Sequence, residues 1–387
     1  FFLNPQESSD MKENFGFKST NNPPQVPELK PFEEELANII SNIKYKPASN
    51  QFQDQMKEDK AKIARTEEVI VKADKTANLY KMKIEEHRKK MSENITKDYK
   101  KANKSKVEKV ISEAAKIARN HDLEDRMNIP TESSAFITIK GHKDTFPGRV
   151  DCRLINPAKN HIGAISKSIL DRINNKLRES TGSNQWKSTS SVIDWFKGIP
   201  NKSKMSFIKF DIVNFYPSIS EELLKDALSW AGNLTDITKD EIGTIMHCRK
   251  SFLFHNGEAW VKKENSDFDV GMGGLDSAEV CELVGLFLLN QMEVVKPQEL
   301  LGLYRDDGLG ATDLPGPALD RLRKEIIRVF QRNGLKITVE TGMRVTDFLD
   351  ITLNLENGSF RPYRKDNKPP TYIHKDSNHP THIKKEL

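Results

Sequence analysis

The most sharply bounded apolar run in the chain is Ser206-Phe207-Ile208-Lys209-Phe210-Asp211-Ile212, which predicts a buried strand ending on a carboxylate. A second apolar run, Leu300-Leu301-Gly302-Leu303, leads into Tyr304-Arg305-Asp306-Asp307 and then Gly308-Leu309-Gly310. That is the pattern of a tight β-hairpin with an acidic pair at its tip. Upstream, Val69-Ile70-Val71 enters a polar turn and Asn78-Leu79-Tyr80-Lys81-Met82 returns, a strand, turn and strand. Residues 83–120 carry a helical, Lys-rich pattern with breaks expected near Ser92-Glu93-Asn94 and at 101–105. Residues 135–140 alternate as a strand, a turn covers 141–148, and a second strand is expected over 149–155. Ile162, Ile165, Ile169, Ile173 and Leu177 fall at helical spacing and predict an amphipathic helix over 160–178.

Further helices are expected at 190–197, 222–231 and 238–248, with Ser220 as a cap and Glu221 and Glu222 in the following turn. A hairpin is expected at 251–262. Gly271-Met272-Gly273-Gly274 then opens a long apolar helix over 277–292. Beyond the acidic hairpin come a helix over 317–333 and strands at 336–340, 347–355 and 359–363. Short helices at 32–43 and 55–65 precede all of this. Residues 1 to about 30, rich in Asn, Pro, Ser and Lys, read as an extended segment without its own core.

The 387 residues suffice for two or three domain-sized units. With 36% hydrophobic and 30% charged residues, the core is modest and the surface helices long. A net charge of +5 permits a polyanionic partner without establishing one. The lysines of 83–120 fit either a solvated helical face or a surface that tracks phosphates. Cys152, Cys248 and Cys281 stand in no metal-ligand spacing, which argues against a zinc module or disulfide framework and suits a reducing, intracellular setting. No signal peptide is visible, and the longest apolar run, near Val284 to Leu289, is too short to span a bilayer. A chain that starts at Phe1 and stops in Lys384-Lys385-Glu386-Leu387 is expected to be a piece of a longer polypeptide.

An Asp-Asp pair at a hairpin tip can be a solvated turn. Asp211, 95 residues before Asp306 (306 − 211), supplies a reason to read more into it. A carboxylate at the end of a core strand is costly to bury unless it is paired or bound to a metal. Carboxylates from two strand ends on one sheet edge repel, and a divalent cation removes the repulsion. Mg2+ prefers one or two carboxylates with phosphate oxygens and water, and two such ions clamp an in-line phosphoryl displacement. Tyr216, five residues past Asp211, could close off the 2′ side of a nucleotide sugar, or Phe215 and Tyr216 could both pack in the core. The predicted hairpin over 135–155 is basic, carrying Lys140, Lys143, Arg149 and Arg153.

The order of these motifs resembles a reverse transcriptase of the Penelope-like retroelement group. Asp211-Ile212-Val213-Asn214-Phe215-Tyr216-Pro217-Ser218-Ile219 is similar to that family's motif A, Gly271-Met272-Gly273-Gly274-Leu275-Asp276-Ser277 to motif B, and Tyr304-Arg305-Asp306-Asp307 to motif C. Ala73-Asp74-Lys75-Thr76-Ala77-Asn78 resembles the Ala-Asp-Lys-Gly-Asn segment of Penelope-like fingers. Phe348-Leu349-Asp350 and Ser377-Asn378-His379-Pro380 resemble stretches that follow the catalytic motifs, so the likeness runs from about residue 65 to the end.

The resemblance implies an α+β right-hand polymerase whose antiparallel palm sheet is backed by helices. Its parts would be an N-terminal extension and linker (1–66), fingers (67–205), a palm with motifs A, B and C (206–357) and the start of a thumb connection (358–387), with most of the thumb missing. It implies RNA-directed DNA synthesis with two Mg2+ ions, Mn2+ being an alternative, on an RNA template and DNA primer with dNTPs, in the nucleus and away from membranes. Asp211, Asp306 and Asp307 would be catalytic. Asp211 and Asp306 would ligate the metals, with the Ile212 carbonyl a helper and Asp307 a nearby acidic partner. Arg153, assisted by Lys140, Lys143 or Arg149, would contact the triphosphate, with one or two of the four touching phosphate. Tyr216 would be the sugar gate, and Gly273 would let the backbone approach the nascent base pair.

Two departures stand out. Gly274-Leu275 replaces the usual small-Pro pair of motif B and Asp276 adds a negative charge, a change that either alters template grip or marks a diverged copy. The family's lysine proton donor to pyrophosphate has no clear match, Lys336 being the candidate. A nuclease domain is expected in the full-length polypeptide, not here. Two other classes compete: a catalytically weak or domesticated copy that only binds nucleic acid, and a metal-dependent nuclease, which would not need Tyr216, the basic hairpin and the motif B loop together.

Overall fold

The computed structural model describes residues 26–43, 51–75, 78–124, 127, 134–141, 143, 145–157, 162–263, 268–292 and 300–363. Their strands are β1 (Glu68–Lys72), β2 (Leu79–Lys83), β3 (Tyr99–Lys101), β4 (Phe136–Ile139), β5 (Cys152–Ile155), β6 (Asn184–Gln185), β7 (Ser206–Ile212), β8 (Leu253–His255), β9 (Glu258–Lys262), β10 (Leu301–Tyr304), β11 (Asp307–Thr312), β12 (Ile337–Met343), β13 (Val345–Phe348), β14 (Ile351–Asn354) and β15 (Phe360–Pro362). Contacts divide the chain into two compact units, each built from two segments: Phe1–Lys176 with Ile219–Leu283, and Leu177–Ser218 with Val284–Leu387. Among the described residues no helix is long and apolar enough to cross a membrane.

In the first unit β1 and β2 form the expected hairpin, and Ala73 bridges to Ile139. Val71, Met82, Met91, Ile95, Ile137 and Ile139 are buried together beneath it. The helix Ile84–Asp98 runs through the break expected at 92–94. Met91 and Ile95, one turn apart and each 1% exposed, anchor it, and Asn94 donates its amide to the Lys90 carbonyl at 2.8 Å instead of breaking the ladder. The second expected break is real, but it is β3, which pairs with β9, so the 251–262 hairpin belongs to a three-stranded sheet. β4 and β5 pair with Thr138 opposite Arg153. β5 starts only at Cys152. Residues 145–151 stay in a turn closed by the Arg149 N–H on the Thr145 carbonyl at 2.8 Å, so Arg149 lies outside the strand.

In the second unit a five-stranded sheet has the order β12-β7-β11-β10-β6. All pairs are antiparallel except β10–β6, a two-residue parallel contact that no hydrophobic pattern announces. β7 alternates as a central strand does. Phe207 points to the face that carries Leu309 and Ala311, where Trp186, Val192, Phe196, Phe348 and Leu353 complete a core. Phe210 points to the other face and meets Phe330 at 5.5 Å between ring centres. Phe330 belongs to the helix Gly316–Arg332, which buries Leu319, Leu322, Ile326 and Val329 along the same stripe. The single strand expected over 347–355 is a hairpin, β13 and β14, because Leu349 turns with a left-handed φ of 51°. The architecture is α+β, with a largely antiparallel sheet backed by helices, as expected.

Candidate active site

At one end of the five-stranded sheet a cross-strand row reads Tyr304, Asp307, Asp211, Thr338, on β10, β11, β7 and β12. Register partners share a face, with Cβ atoms about 5 Å apart. Asp211 and Asp307 therefore project side by side, Asp211 exposed and Asp307 half-buried. The next residues inward on the same face of these two strands are Lys209 and Leu309, and the latter is in the core. The pair thus sits where a packed face opens to solvent.

The hairpin tip is a two-residue turn, Arg305-Asp306. Arg305 takes a φ of 55° and Asp306 does not turn left-handed, the pattern of a type II′ turn whose first position favours glycine. Holding Arg there costs about 1–2 kcal/mol. Its guanidinium lies 5.7 Å from the Tyr304 ring centre, a cation–π contact that offsets part of this. Asp306 is half-buried, and its carbonyl accepts the Ile212 N–H at 3.0 Å, which fastens the turn to the end of β7. Gly308 faces Phe210 in register, and the Phe210 ring occupies the space a Cβ would need.

β7 ends at Ile212, whose side chain is buried. The Val213 N–H then donates to the Lys336 carbonyl at 2.8 Å, so Lys336, exposed, stands at the same end of the sheet as the acidic row. Asn214 turns with a φ of 52° into the short helix Phe215–Ser218. Phe215 is 2% exposed and packs inside, while Tyr216 is half-exposed, which separates the two aromatics the sequence left open.

Among the described residues no three His, Cys, Asp or Glu side chains gather into a metal cage. Mg2+ does not require one: one or two carboxylates suffice when phosphate oxygens and water complete the octahedron. Two carboxylates opposed in register, with a third on the adjoining turn, fit that donor set.

The other candidate residues belong to the first unit. Arg153 pairs with Asp74 at 3.0 Å. Burial, and then the nearby positive charges of Arg153 and Lys143, hold the Lys140 ammonium below its ordinary range. Arg149 and Lys143 both turn to Asp151, at 3.0 and 3.3 Å, in exposed pairs worth no more than about 1 kcal/mol each.

The glycine loop is held from beneath. Gly273 has a φ of 107°, and the Asn156 carbonyl takes the place of its Cβ, so glycine is required by the protein's own backbone. The Asn156 N–H donates to the Met272 carbonyl at 3.1 Å and its side chain to the Phe252 carbonyl at 3.0 Å. Asp269 accepts from Tyr99 at 3.0 Å and from Lys262 at 2.8 Å. Burial raises the Tyr99 hydroxyl pKa, which keeps the donor protonated.

Asp276 corrects an expectation. It is 3% exposed, ion-paired with Arg249 and hydrogen-bonded by Ser166, so its charge is cancelled inside the protein instead of facing a template. Sequence reasoning missed Arg249. The only available signal was that a carboxylate at the start of an apolar helix needs a cation, and the spacing of 27 residues (276 − 249) names none.

No protein-family model matches the chain, and no curated protein sequence matches it either. Solved structures do. Apo telomerase from Candida tropicalis, truncated of its C-terminal domain, superposes with a TM-score of 0.56 at 14% identity, over 78% of this chain and 65% of that one. Telomerase from Candida albicans in complex with a TWJ fragment of telomeric RNA superposes with a TM-score of 0.55 at 13% identity, over 92% of this chain and 62% of that one. The chain thus spans less than two thirds of the length of these telomerase structures. At this identity the likeness is one of fold, and the fold is the right-hand fold of polymerases. The stretch resembling Ser377-Asn378-His379-Pro380 lies outside the described residues, as do most of the expected thumb connection and Thr76-Ala77.

Proposed function

We propose that this protein is an RNA-directed DNA polymerase of a Penelope-like retroelement, adding deoxynucleotides to the 3′ end of a DNA primer. One observation carries the reading: Asp211 and Asp307 opposed in register, with Asp306 on the joining turn, in a right-hand fold. In the reaction the primer 3′ oxygen bonds to the α-phosphorus as the bond to pyrophosphate breaks, and the hydroxyl proton passes to solvent water. Asp211, Asp306 and Asp307, helped by the Ile212 carbonyl, would hold two Mg2+ ions, with Mn2+ as a substitute. When bound, these supply charge neutralisation at the attacking and leaving oxygens. The chain's own residues position the reactants. Arg153 and Lys140 take the triphosphate, with Arg149 at the margin. Tyr216, half-exposed beside the acidic row's strand, excludes a 2′ hydroxyl. Lys336, at the same sheet end, donates a proton to the departing pyrophosphate. RNA template, DNA primer and dNTPs are the partners, and the nucleus is the setting.

The test is primer extension on an RNA template with Mg2+ or Mn2+, comparing the chain with Asp211→Asn. Extension by the parent and none by the variant, with RNA–DNA binding retained in both, supports the reading. A variant that still polymerises overturns it. A parent that binds RNA–DNA without extending it is a binding module.

A further inference from the structure

Asp74 has no part in the reading above, yet it is the buried centre of the basic hairpin. Its N–H donates to the Ile139 carbonyl at 2.9 Å, which docks the end of the first hairpin against β4. Its side chain is 3% exposed. One carboxylate oxygen accepts from the Arg153 guanidinium at 3.0 Å and from the Thr138 hydroxyl at 3.3 Å. The other is buried without a hydrogen-bond partner among the described residues. Thr138 and Arg153 are themselves cross-strand partners. The carboxylate, the hydroxyl and the guanidinium therefore form a closed triangle, joined to β1, β4 and β5.

Burying a carboxylate is expensive and is repaid only by good geometry. An arginine whose sole task was to neutralise Asp74 would be buried with it. Arg153 is not: a third of its side chain is exposed, and a guanidinium carries five N–H donors in a rigid fork. Its Nη1 is held by Asp74, and the exposed part of the side chain is open to a ligand. Lys140, the other cation of the cluster, is pushed down by burial and by Arg153, while Asp74 pulls it the other way. Asp74 thus lets two cations stand together and fixes the aim of one. By contrast, Arg149 and Lys143, both largely exposed, share a half-buried Asp151, an arrangement that divides one carboxylate between two mobile cations.

We infer that Asp74 is a positioning residue, which holds the Arg153 guanidinium so that its remaining donors meet the polyphosphate of a nucleoside triphosphate. This rests on the polymerase reading for its substrate, but its test does not require turnover. Asp74 is an anion beside an anion site. By charge alone, Asp74→Asn should tighten polyphosphate binding; if Asp74 acts by aiming Arg153, the same change should weaken it. The sign separates the two.

The experiment measures binding of inorganic tripolyphosphate with Mg2+ to the full 387-residue chain by calorimetry. The variants are Asp74→Asn, Arg153→Gln, the double variant and Thr138→Val, each checked by thermal melting. The expected result is a rise in Kd of about tenfold for either single change, with the double no more than about twofold weaker than Arg153→Gln alone. Thr138→Val, which removes one support of the carboxylate, should raise Kd about two- to threefold and carries the test if Asp74→Asn does not fold. Tighter or unchanged binding in Asp74→Asn, or an equal loss with and without Arg153, overturns the inference. For Thr138→Val, unchanged or tighter binding does the same. If the expected pattern appears in a chain that extends no primer, the inference stands and the polymerase reading falls. If primers are extended and the pattern fails, the reverse holds.

Discussion

Asp211 and Asp307 stand directly opposite each other in the β7–β11 ladder, at the end of a face whose interior is hydrophobic. Like charges so placed destabilise a sheet by only about 0.2–1 kcal/mol, a small cost for a site proposed to gather cations. Replacing either with Asn should leave the melting temperature within a few degrees of the parent's. It should also cut primer extension by at least about a thousandfold, because it removes a ligand for charge that develops in the transition state. Steady-state extension rates and a thermal melt check both parts, and chelation of Mg2+ should silence the parent in the same assay.

The turn before Asp307 offers a backbone test. Arg305 tolerates its φ of 55° at a cost that a β-branched side chain would raise. Arg305→Gly and Arg305→Val both lose the contact with Tyr304, so their difference isolates the backbone. The valine variant should be less stable than the glycine variant by about 1–3 kcal/mol in urea unfolding. Equal stabilities would mean that the turn is not left-handed at residue 305.

Gly308 should resist even alanine. The added Cβ falls on the Phe210 ring, and overpacking of this kind costs about 1–3 kcal/mol. Gly308→Ala should lower stability by that amount, and Phe210→Leu in the same chain should recover part of it. A Gly308→Ala protein as stable as the parent would contradict the register of the two strands.

The buried pair of Arg249 and Asp276 predicts asymmetry. Asp276→Ala leaves a guanidinium without its partner in the interior and should cost about 3–5 kcal/mol. Changing both, Arg249→Met with Asp276→Leu, should restore most of the loss. Urea midpoints of the parent, the single and the double variant decide it, and a double variant no more stable than Asp276→Ala would rule out the pairing.

Much of the second unit's sheet was legible because its central strands are short apolar runs and its turns carry Gly and Asp. Motif order also paired Asp211 with the acidic hairpin. The sequence could not tell which of two adjacent carboxylates opens the return strand. That depends on Arg305 accepting a left-handed φ, which makes the loop two residues long and puts Asp307 in register with Asp211. It could not find β6, two polar residues with no pattern, nor Arg249, whose link to Asp276 is purely tertiary. The false break at Ser92-Glu93-Asn94 has the opposite cause: local propensity favoured an interruption, and burial of Met91 and Ile95 overrode it.

The fastening at Asn156 has a further consequence, for chain length. Arg153 is set by its partnership with Thr138, and three residues later Asn156 is set by the Met272 carbonyl. One anchor is a ladder register and the other a backbone hydrogen bond, so the stretch between them has little slack. A substitution there changes a side chain, whereas a one-residue insertion or deletion must release either the hairpin cation or the glycine loop. Residues 153–156 are thus a spacer of fixed length, and indels in this chain should be least tolerated across those four positions.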